Sequence, residues 1–225
     1  MISLDHVNFG YDGASTLCDL TVQLALGSFH FLTGPSGSGK TTLLKQLYLE
    51  HRPVSGRIEL FGTDPARLDD RGLIRMRRRI GVVFQEFRLL DHLSLRDNVA
   101  LSLRVAGADL AARAGDVEEL ISWVGLGSRA GARPPELSAG EKQRAAIARA
   151  VVNDPELIIA DEPTGNVDPQ MGARILRLLT ELNGLGKTVV IATHDLGLIR
   201  AAKVAVEARV LRLAEGRLMQ GAVAL

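Results

Sequence analysis

Short apolar segments alternate with segments of helical periodicity along most of this 225-residue chain. Four segments are apolar and partly β-branched, at residues 29–33, 80–84, 157–160 and 188–192. Such runs are typical of strands that are buried on both faces of a parallel sheet. Between them, apolar residues recur with the i, i+3, i+4, i+7 spacing of amphipathic helices, at 117–124 and at 175–182. The alternation predicts an α/β fold with a mainly parallel core sheet.

Two other parts of the chain carry different patterns. Three segments alternate in polarity as half-buried antiparallel strands do: 2–9, 19–26 and 56–61. Residues from about 86 to 136 show almost no strand pattern, which predicts a helical segment inserted into the core, and the tail at 209–219 predicts a closing hairpin. We therefore predict a single domain over residues 1–225, with an antiparallel β part and an inserted helical part.

The composition is that of an ordinary globular chain, and it excludes several classes of function. There are 27 Lys and Arg against 26 Asp and Glu, so no overall field attracts nucleic acid, and 4% aromatic residues argue against a surface that stacks single-stranded bases. The single cysteine, Cys18, excludes an internal disulfide framework and fits a reducing compartment. No apolar run approaches the ~18–20 residues that span a membrane, and residues 1–5 show no secretory signal. We expect a cytosolic protein, with attachment to a membrane partner left open.

A phosphate-binding loop is predicted directly after the strand at 29–33. Residues 34–41 fit the pattern G-x-x-x-x-G-K-[ST], and a helix follows at once. Glycines let successive backbone N–H groups face a phosphate, and the start of the helix adds partial positive charge. A glycine-rich turn with a chance lysine is the alternative, but the bare pattern arises only about once in a hundred such chains.

Each part of this loop has an expected role. Lys40 would reach the β- and γ-phosphates, and the Thr41 hydroxyl would take one magnesium position. The backbone between them would surround the phosphates. The predicted nucleotide contacts are Gly34, Pro35, Ser36, Gly37, Ser38, Gly39, Lys40, Thr41 and Thr42.

Two carboxylates, Asp161 and Glu162, follow the predicted strand at 157–160. Ligands of open parallel sheets bind at the carboxyl ends of the strands, which is where these side chains would lie. Asp161 is predicted to hold Mg²⁺ through water, because magnesium keeps much of its hydration shell. Glu162 is predicted to orient or deprotonate a water that attacks the γ-phosphate. Without the phosphate loop, the better explanation of Asp161 and Glu162 would be the solvated end of a strand.

With these motifs in place, the chain resembles the ATP-binding-cassette (ABC) ATPase family. Residues 137–141, Leu-Ser-Ala-Gly-Glu, resemble the family's signature loop, usually written LSGGQ. The resemblance implies contacts with a nucleotide bound to a second copy of the chain, made by Ser138, Ala139, Gly140 and Glu141. Locally, Ser138 and Glu141 also form a capping box for the next helix, which is a sufficient structural explanation of those two residues. Ala139 and Glu141 depart from the commonest form, and a methyl group at 139 is expected to tighten the fit to phosphate.

Four further residues match positions that have roles in the family. The resemblance implies that Gln85 contacts Mg²⁺ and the attacking water, and that His194 contacts the γ-phosphate. It also implies that Asp168 crosses the dimer interface and that Tyr11 stacks on adenine. Taken alone, Gln85 and His194 are explained as strand-end residues in solvent, and Tyr11 as a core or surface tyrosine. The matches extend over nearly the whole chain in the expected order, and together they are far more specific than any one motif.

The resemblance also implies a fold, cofactors and partners. The expected fold is the P-loop ATPase core of this family, the cofactors are ATP and Mg²⁺, and two copies close head to tail on two ATP molecules. Residues 163–168 and several other stretches are similar to a branch that acts in cell division, lipoprotein release and macrolide efflux. Likeness to the cell-division members implies an integral membrane partner, a place at the cytoplasmic face of the inner membrane, a link to cell-wall hydrolases and no nucleic acid.

Two other functions stay open at this point. One is a transport ATPase that has the same chemistry and a different membrane partner. The other is a different class of function, an ATP-binding scaffold with little turnover. The methyl group of Ala139 is the argument for this alternative.

A basic cluster precedes the strand at 80–84. It is predicted to be the solvated face of a helix, and the alternative is a surface that approaches anionic lipid or an acidic partner loop. Its members are Arg71, Arg75, Arg77, Arg78 and Arg79.

Overall fold

The computed structural model describes residues 1–11 and 14–219, which form nine strands and seven α-helices. The strands are β1 (Ile2–Tyr11), β2 (Ala14–Leu24), β3 (Phe29–Thr33), β4 (Ser55–Leu60), β5 (Ile80–Val83), β6 (Leu157–Asp161), β7 (Thr188–Ala192), β8 (Ala208–Ala214) and β9 (Arg217–Leu218). The helices are α1 (Lys40–Leu47), α2 (Asp70–Arg77), α3 (Leu95–Val105), α4 (Ala114–Trp123), α5 (Ala139–Val151), α6 (Pro169–Gly184) and α7 (Leu196–Ala205). Among these residues, no helix has the length and apolar character needed to span a bilayer.

The main sheet has the strand order β5-β6-β7-β3-β8-β9. Its first five strands are parallel, and the register places Ala192 of β7 opposite both Leu32 of β3 and Asp161 of β6. Because parallel strands end at the same edge of a sheet, the loops after β3, β6 and β7 lie side by side. The predicted α/β fold with a mainly parallel core sheet is confirmed.

Both faces of the main sheet are buried, so consecutive residues of a strand enter two different hydrophobic cores. On one face, Phe31 and Ile158 pack with apolar residues of helices α3 to α7. On the other face, Leu32 and Ile159 pack with α1 and with the strands β1, β2 and β4. This two-sided burial is the physical reason for the continuous apolar runs in the sequence.

The antiparallel part of the protein is a three-stranded sheet of order β2-β1-β4, in which β1 pairs antiparallel with both neighbours. Residues 86–136 hold α3, α4 and two short 3₁₀ turns, with no strand among them. Both observations agree with the sequence patterns. That the chain forms one domain with an inserted helical part at about 86–136 stays a prediction.

The tail of the chain forms the expected hairpin and also extends the main sheet. β8 and β9 pair antiparallel. In addition, β8 pairs in parallel with β3, from Phe29 opposite Ala208 to Thr33 opposite Arg212. This pairing, which the sequence pattern does not predict, places the end of β8 beside the loop that follows β3.

One titratable side chain, His30, lies inside the main sheet and is only 1% exposed. The Ser28 hydroxyl donates to the carbonyl of Ala25 at 2.5 Å, so Nε2 of His30 donates to the Ser28 oxygen at 2.7 Å. Nδ1 is then unprotonated, and it has no hydrogen-bond partner among the described residues. Burial, reinforced by the charge of Arg209, lowers the pKa of His30 from 6.5 to about 4.

We predict that His30 makes the stability of the protein fall between pH 6.5 and pH 4. In this window the unfolded chain binds more protons than the folded one, so the free energy of unfolding is complete above the window and decreases as the pH drops. The pKa difference allows a loss of up to about 3 kcal/mol. Urea unfolding at pH 7 and at pH 4.5 should show a smaller loss in His30→Gln than in the wild-type protein.

His92→Gln is the matched control, because His92 is exposed. It should leave the pH dependence of the free energy of unfolding as it is in the wild-type protein. An unchanged loss in His30→Gln would show that other groups cause it.

Candidate active site

A cavity of about 660 Å³ opens at the edge of the main sheet where β3, β6 and β7 end. The loop after β3 forms one wall, and the residues that follow β6 and β7 form another. The structure therefore brings together most of the side chains that the sequence assigns to phosphate, metal and water. The lining residues are Thr16, Gly34, Pro35, Ser36, Gly37, Gly39, Lys40, Thr41, Thr42, Gln85, Asp161, Glu162 and His194.

The predicted phosphate loop curls around the head group of Lys40. Nζ of Lys40 donates hydrogen bonds to the carbonyl oxygens of Gly34 at 2.8 Å and Pro35 at 3.0 Å. Gly34 has to lack a side chain, because a Cβ there would lie 2.0 Å from the carbonyl oxygen of Leu213 in β8. The loop then leads directly into the N-terminus of α1. A curled backbone, a lysine head group and a helix N-terminus together suit an anion.

Asp161 and Thr41 place two oxygen-bearing side chains close together in the cavity lining. Burial raises the pKa of the Asp161 carboxyl; hydrogen bonding to Thr41 opposes this shift, and the charge of Glu162 adds to it. Oxygen ligands suit Mg²⁺, which also keeps several waters and shares phosphate oxygens. In the described ranges, no group of three or more His, Cys, Asp or Glu could hold a metal ion.

Glu162 adopts a left-handed backbone conformation, with φ of 44°. This conformation is unfavourable for a residue with a side chain, and such residues cluster at functional sites. The Glu162 N–H donates to the carbonyl of Ala192 at 2.9 Å, and Oε1 lies 2.8 Å from Nδ1 of His194. The carboxylate is 13% exposed, whereas the His194 side chain is 75% exposed. Glu162 is thus fixed at the cavity by the end of β7 and by His194.

Two features of the cavity have no counterpart in the sequence analysis. Thr16 of β2 lines it, and Asn166 donates from Nδ2 to the main-chain carbonyl of Gln85 at 3.1 Å. The second contact ties the loop after Glu162 to Gln85, the second residue after β5. No local pattern predicts either contact, although Asn166 lies in the 163–168 stretch, because each contact joins segments that are far apart along the chain.

The signature residues lie outside this cavity, at the start of α5. The Glu141 N–H donates to Oγ of Ser138 at 3.3 Å, and the Ser138 N–H donates to the Glu141 carboxylate at 2.8 Å, so the predicted capping box is present. The backbone hydrogen bond from Ser138 is the main cause that lowers the pKa of Glu141. Both Ser138 and Ala139 are exposed.

Gly140 and Asp168 both contact Met171 of α6. A Cβ on Gly140 would lie 2.8 Å from Cγ of Met171, and the Met171 N–H donates to the Asp168 carboxylate at 2.9 Å. Packing against Met171 is therefore a reason for the glycine that does not involve phosphate. The predicted contacts of these residues with the nucleotide of a second copy stay predictions.

Two of the nucleotide contacts predicted within a single chain are not in the cavity lining. Ser38 is 5% exposed, and its hydroxyl has no hydrogen-bond partner in residues 1–11 and 14–219. Tyr11 is 41% exposed, and its ring lies edge-on to Phe9 and His51, at centroid distances of 4.9 and 5.5 Å. The stacking of adenine on Tyr11 stays a prediction.

The fold divides the basic cluster into two groups. Arg79 forms a double hydrogen bond with Glu156, at 2.6 and 2.9 Å, and its guanidinium lies 3.9 Å from the centre of the Phe61 ring. Arg77 donates to the carbonyl of Leu49 at 2.7 Å. Two of the five side chains therefore bind within the fold instead of forming a plain solvated face. Arg71, Arg75 and Arg78 are exposed, and Arg77 is exposed as well despite its contact with Leu49.

A comparison with protein families assigns this chain. The family model described as "ABC transporter" matches residues 17–165, which is more than half of the chain. The chain belongs to the ABC transporter family. The matched range contains the phosphate loop, Gln85, the signature residues and the two carboxylates at the end of β6, so it includes most of the site predicted from the sequence.

Individual relatives in the ABC transporter family cover more of the chain. Cell division ATP-binding protein FtsE of Mycobacterium tuberculosis is 42% identical over 222 residues, which is 98% of this chain and 95% of that protein. FtsE of Escherichia coli is 43% identical and covers 98% of each. Methionine import ATP-binding protein MetN 2 of Burkholderia mallei is 42% identical, but the match covers 89% of this chain and 52% of MetN 2.

A solved structure of an ATP-binding cassette has the same fold. It is 33% identical, covers 98% of this chain and 97% of its own, and superposes with a TM-score of 0.87. That structure is a dimer in a post-hydrolysis state, bound to ADP and Pi. The present chain is thus an ATPase of the ABC transporter family, and its fold is that of the family's cassette.

We predict that Lys40→Ala lowers the affinity for ATP at least tenfold, because charge-assisted hydrogen bonds to phosphate are lost. Titration calorimetry with Mg²⁺ and ATP measures the affinity. The control is Lys45→Ala, on the same helix, where the ammonium pairs with Glu50 at 3.0 Å and is not among the residues that line the cavity. Equal affinities of Lys40→Ala and the wild-type protein would remove the assignment of the phosphate loop.

Proposed function

We propose that this chain is the ATP-binding and ATP-hydrolysing subunit of an FtsE–FtsX-type complex, which couples ATP-driven dimer closure to cell division and to control of cell-wall hydrolysis. The observation that carries the proposal is the cavity in which Lys40, Asp161 and Glu162 meet. Similarity to FtsE proteins over nearly the full length of both chains supports the cell-division assignment. The match to MetN 2 is a weaker argument for a role in import, because about half of that protein has no counterpart here.

In the proposed reaction, Glu162 orients or deprotonates the water that attacks the γ-phosphate. His194 fixes the Glu162 carboxylate through the 2.8 Å contact, and its largely exposed ring, which lines the cavity, would contact the γ-phosphate. A general base in such a position typically contributes 10²- to 10⁴-fold, roughly, to the rate. Lys40 and the loop backbone would hold the phosphates in place.

Three oxygen-bearing side chains fit a magnesium ion in this cavity: Thr41, Gln85 and Asp161. When bound, Mg²⁺ supplies charge neutralisation at the β- and γ-phosphates. The raised pKa of Asp161 reflects a carboxylate that burial makes unfavourable as an anion, and a cation beside it would offset that cost.

Two copies of the chain would close head to tail on two ATP molecules. The signature residues are not in the cavity of their own chain, and the start of α5 is exposed at Ser138 and Ala139. The capping box uses the N–H groups of Ser138 and Glu141, so the N–H groups of Ala139 and Gly140, which a helix leaves without an internal partner, would face a phosphate from outside. The dimeric cassette with ADP and Pi supports this arrangement. Asp168, which contacts Met171 beside Gly140, would lie in the same interface.

The membrane partner would dock in a groove of about 570 Å³ between α2, β5, α3 and α5, which we call the basic groove. No acidic residue lines this groove in the described part of the chain, so it is complementary to a partner segment with acidic and apolar side chains. Such a segment, from an FtsX-type integral membrane protein, would hold the chain at the cytoplasmic face of the inner membrane and transmit closure of the dimer. The walls of the basic groove include Ile74, Arg77, Arg78, Arg88, Val105 and Arg149.

Two alternatives use the same cavity. In a transport ATPase for lipoprotein release or efflux, the chemistry is the same and the groove holds a different membrane protein. In an ATP-binding scaffold, nucleotide closes the dimer and recruits division proteins, and the exposed methyl of Ala139 slows turnover.

We predict that Glu162→Gln lowers ATP turnover at least hundredfold and retains ATP binding, because the general base is lost while the phosphate loop is intact. Phosphate release and calorimetry measure the two quantities. Glu119→Gln, at an exposed position of α4, should match the wild-type protein in both. Restored division in cells that carry only Glu162→Gln would favour the scaffold, and a division defect would favour the ATPase.

We predict that Arg78→Glu prevents co-purification of the membrane partner from native membranes, because it places like charge against the acidic segment of the partner. ATP affinity should stay at the wild-type value. Arg71→Glu is the matched control, since Arg71 is exposed on α2, the helix that ends just before Arg78, and is not part of the basic groove. Mass spectrometry of the captured protein distinguishes an FtsX-type partner from a transporter subunit. If the Arg78→Glu variant captured the membrane partner at the wild-type level, the groove would not be the docking site.

A further inference from the structure

The segment from Gln85 to Ser94 connects β5 to α3 and contains no helix or strand. At its beginning, the exposed Gln85 side chain lines the cavity. A connection without regular structure gives a side chain no fixed place by itself, since its backbone lacks the repeated hydrogen bonds of a helix or sheet. The position of Gln85 must therefore come from contacts that other elements make with this segment.

Arg149, near the end of α5, makes the closest of these contacts. Its guanidinium donates from Nη2 to the carbonyl of Phe87 at 2.6 Å and from Nη1 to the carbonyl of Arg88. Burial, reinforced by the charge of Arg88, lowers the pKa of Arg149. The planar fork of an arginine matches two adjacent carbonyls in a way that the single head group of a lysine does not.

The backbone at these two carbonyls is strained. Phe87 has φ of 60° and Arg88 has φ of 51°, both in the left-handed region that disfavours residues with side chains. Such conformations persist only where the surroundings determine them, and they concentrate at functional sites. The two left-handed residues turn both carbonyls toward one guanidinium, so Arg149 is the contact that offsets the strain.

Two asparagines hold the segment on either side of this turn. Asn166, in the loop after Glu162, donates to the carbonyl of Gln85 at 3.1 Å. Asn98 of α3 is fully buried; it donates to the carbonyls of Leu90, Leu93 and Ser94 and accepts from the Leu90 N–H at 2.7 Å. The main chain is thus fixed before and after the point that Arg149 binds.

We propose that Arg149 and Asn166 are positioning residues for Gln85: they fix the main chain so that the Gln85 side chain stays at the cavity wall. This inference rests on the proposed function, in which Gln85 contacts Mg²⁺ and the attacking water. Arg149 lies on α5, the helix that Ser138 caps, about 16 Å further along the axis. One rigid helix therefore sets the place of Gln85 in its own chain and presents the signature residues to the second copy.

The test is a double-mutant cycle between Arg149→Lys and Gln85→Ala, measured as ATP turnover. Arg149→Lys keeps the positive charge and loses the fork, so we expect kcat to fall about tenfold, as for other residues that orient a metal ligand. KM for ATP and the affinity for ATP should stay near the wild-type values, and the Mg²⁺ concentration for half-maximal turnover should rise. In the Gln85→Ala background, Arg149→Lys should have almost no further effect, because the side chain it positions is gone.

Arg113→Lys is the matched control, since that guanidinium also donates to a backbone carbonyl, that of Val152 at 3.2 Å, at the same end of α5. It should leave turnover unchanged. Thermal unfolding of each variant separates loss of fold from loss of position. The same cycle can be measured with Asn166→Ala in place of Arg149→Lys, with little risk to the fold because Asn166 is exposed. We expect the loss of turnover in Asn166→Ala to depend on Gln85 in the same way.

The inference would be overturned if Arg149→Lys lowered kcat by the same factor in the wild-type and the Gln85→Ala backgrounds. The same result for Asn166→Ala would also overturn it. A failure of the proposed function has a different signature. There, Gln85→Ala by itself would leave turnover and its Mg²⁺ dependence at the wild-type values.

Discussion

The pairing of β7 between β3 and β6 is the constraint on which the rest of the structure depends. Its register places Ala192 opposite Leu32 on one side and Asp161 on the other, so three strands end together. Because both faces of the sheet are buried, a slip of one residue would exchange the side chains that enter the two cores, for example Ile158 and Ile159. Hydrophobic packing thereby fixes the edge at which the phosphate loop, the carboxylates and His194 meet.

The cavity at this edge concentrates opposite charges where water is partly excluded. Lys40 directs its ammonium to carbonyls of its own loop, while Asp161 is buried enough for its pKa to be raised. Close by, Glu162 is held by a strained backbone and by His194. Free energy is thus stored in desolvation and in backbone strain, and a bound phosphate with its cation would relieve part of it. Such preorganisation is what electrostatic catalysis requires.

Helix α5 links the regions that the proposed function needs to act together. Its first turn is closed by the capping box at Ser138, its middle is buried in the core with Ala145, Ala146 and Ile147 fully enclosed, and its last turns carry Arg149. A helix that is packed this tightly moves as a unit. A protein bound in the basic groove would touch Arg149 and Arg88, and the same helix would carry any displacement to the signature residues.

Local sequence determined the features that depend on a few consecutive residues: the glycine-rich loop at 34–41, the two carboxylates at the end of β6 and the capping box of α5. Each needs only its own backbone conformation, so a pattern of neighbours is enough to predict it. The tertiary structure alone decided the pairing of β8 with β3, the ion pair of Arg79 with Glu156, and the grip of Arg149 and Asn166 on the segment after Gln85. These contacts join residues that are distant along the chain, and the packing of two cores brings them together, which no local pattern encodes.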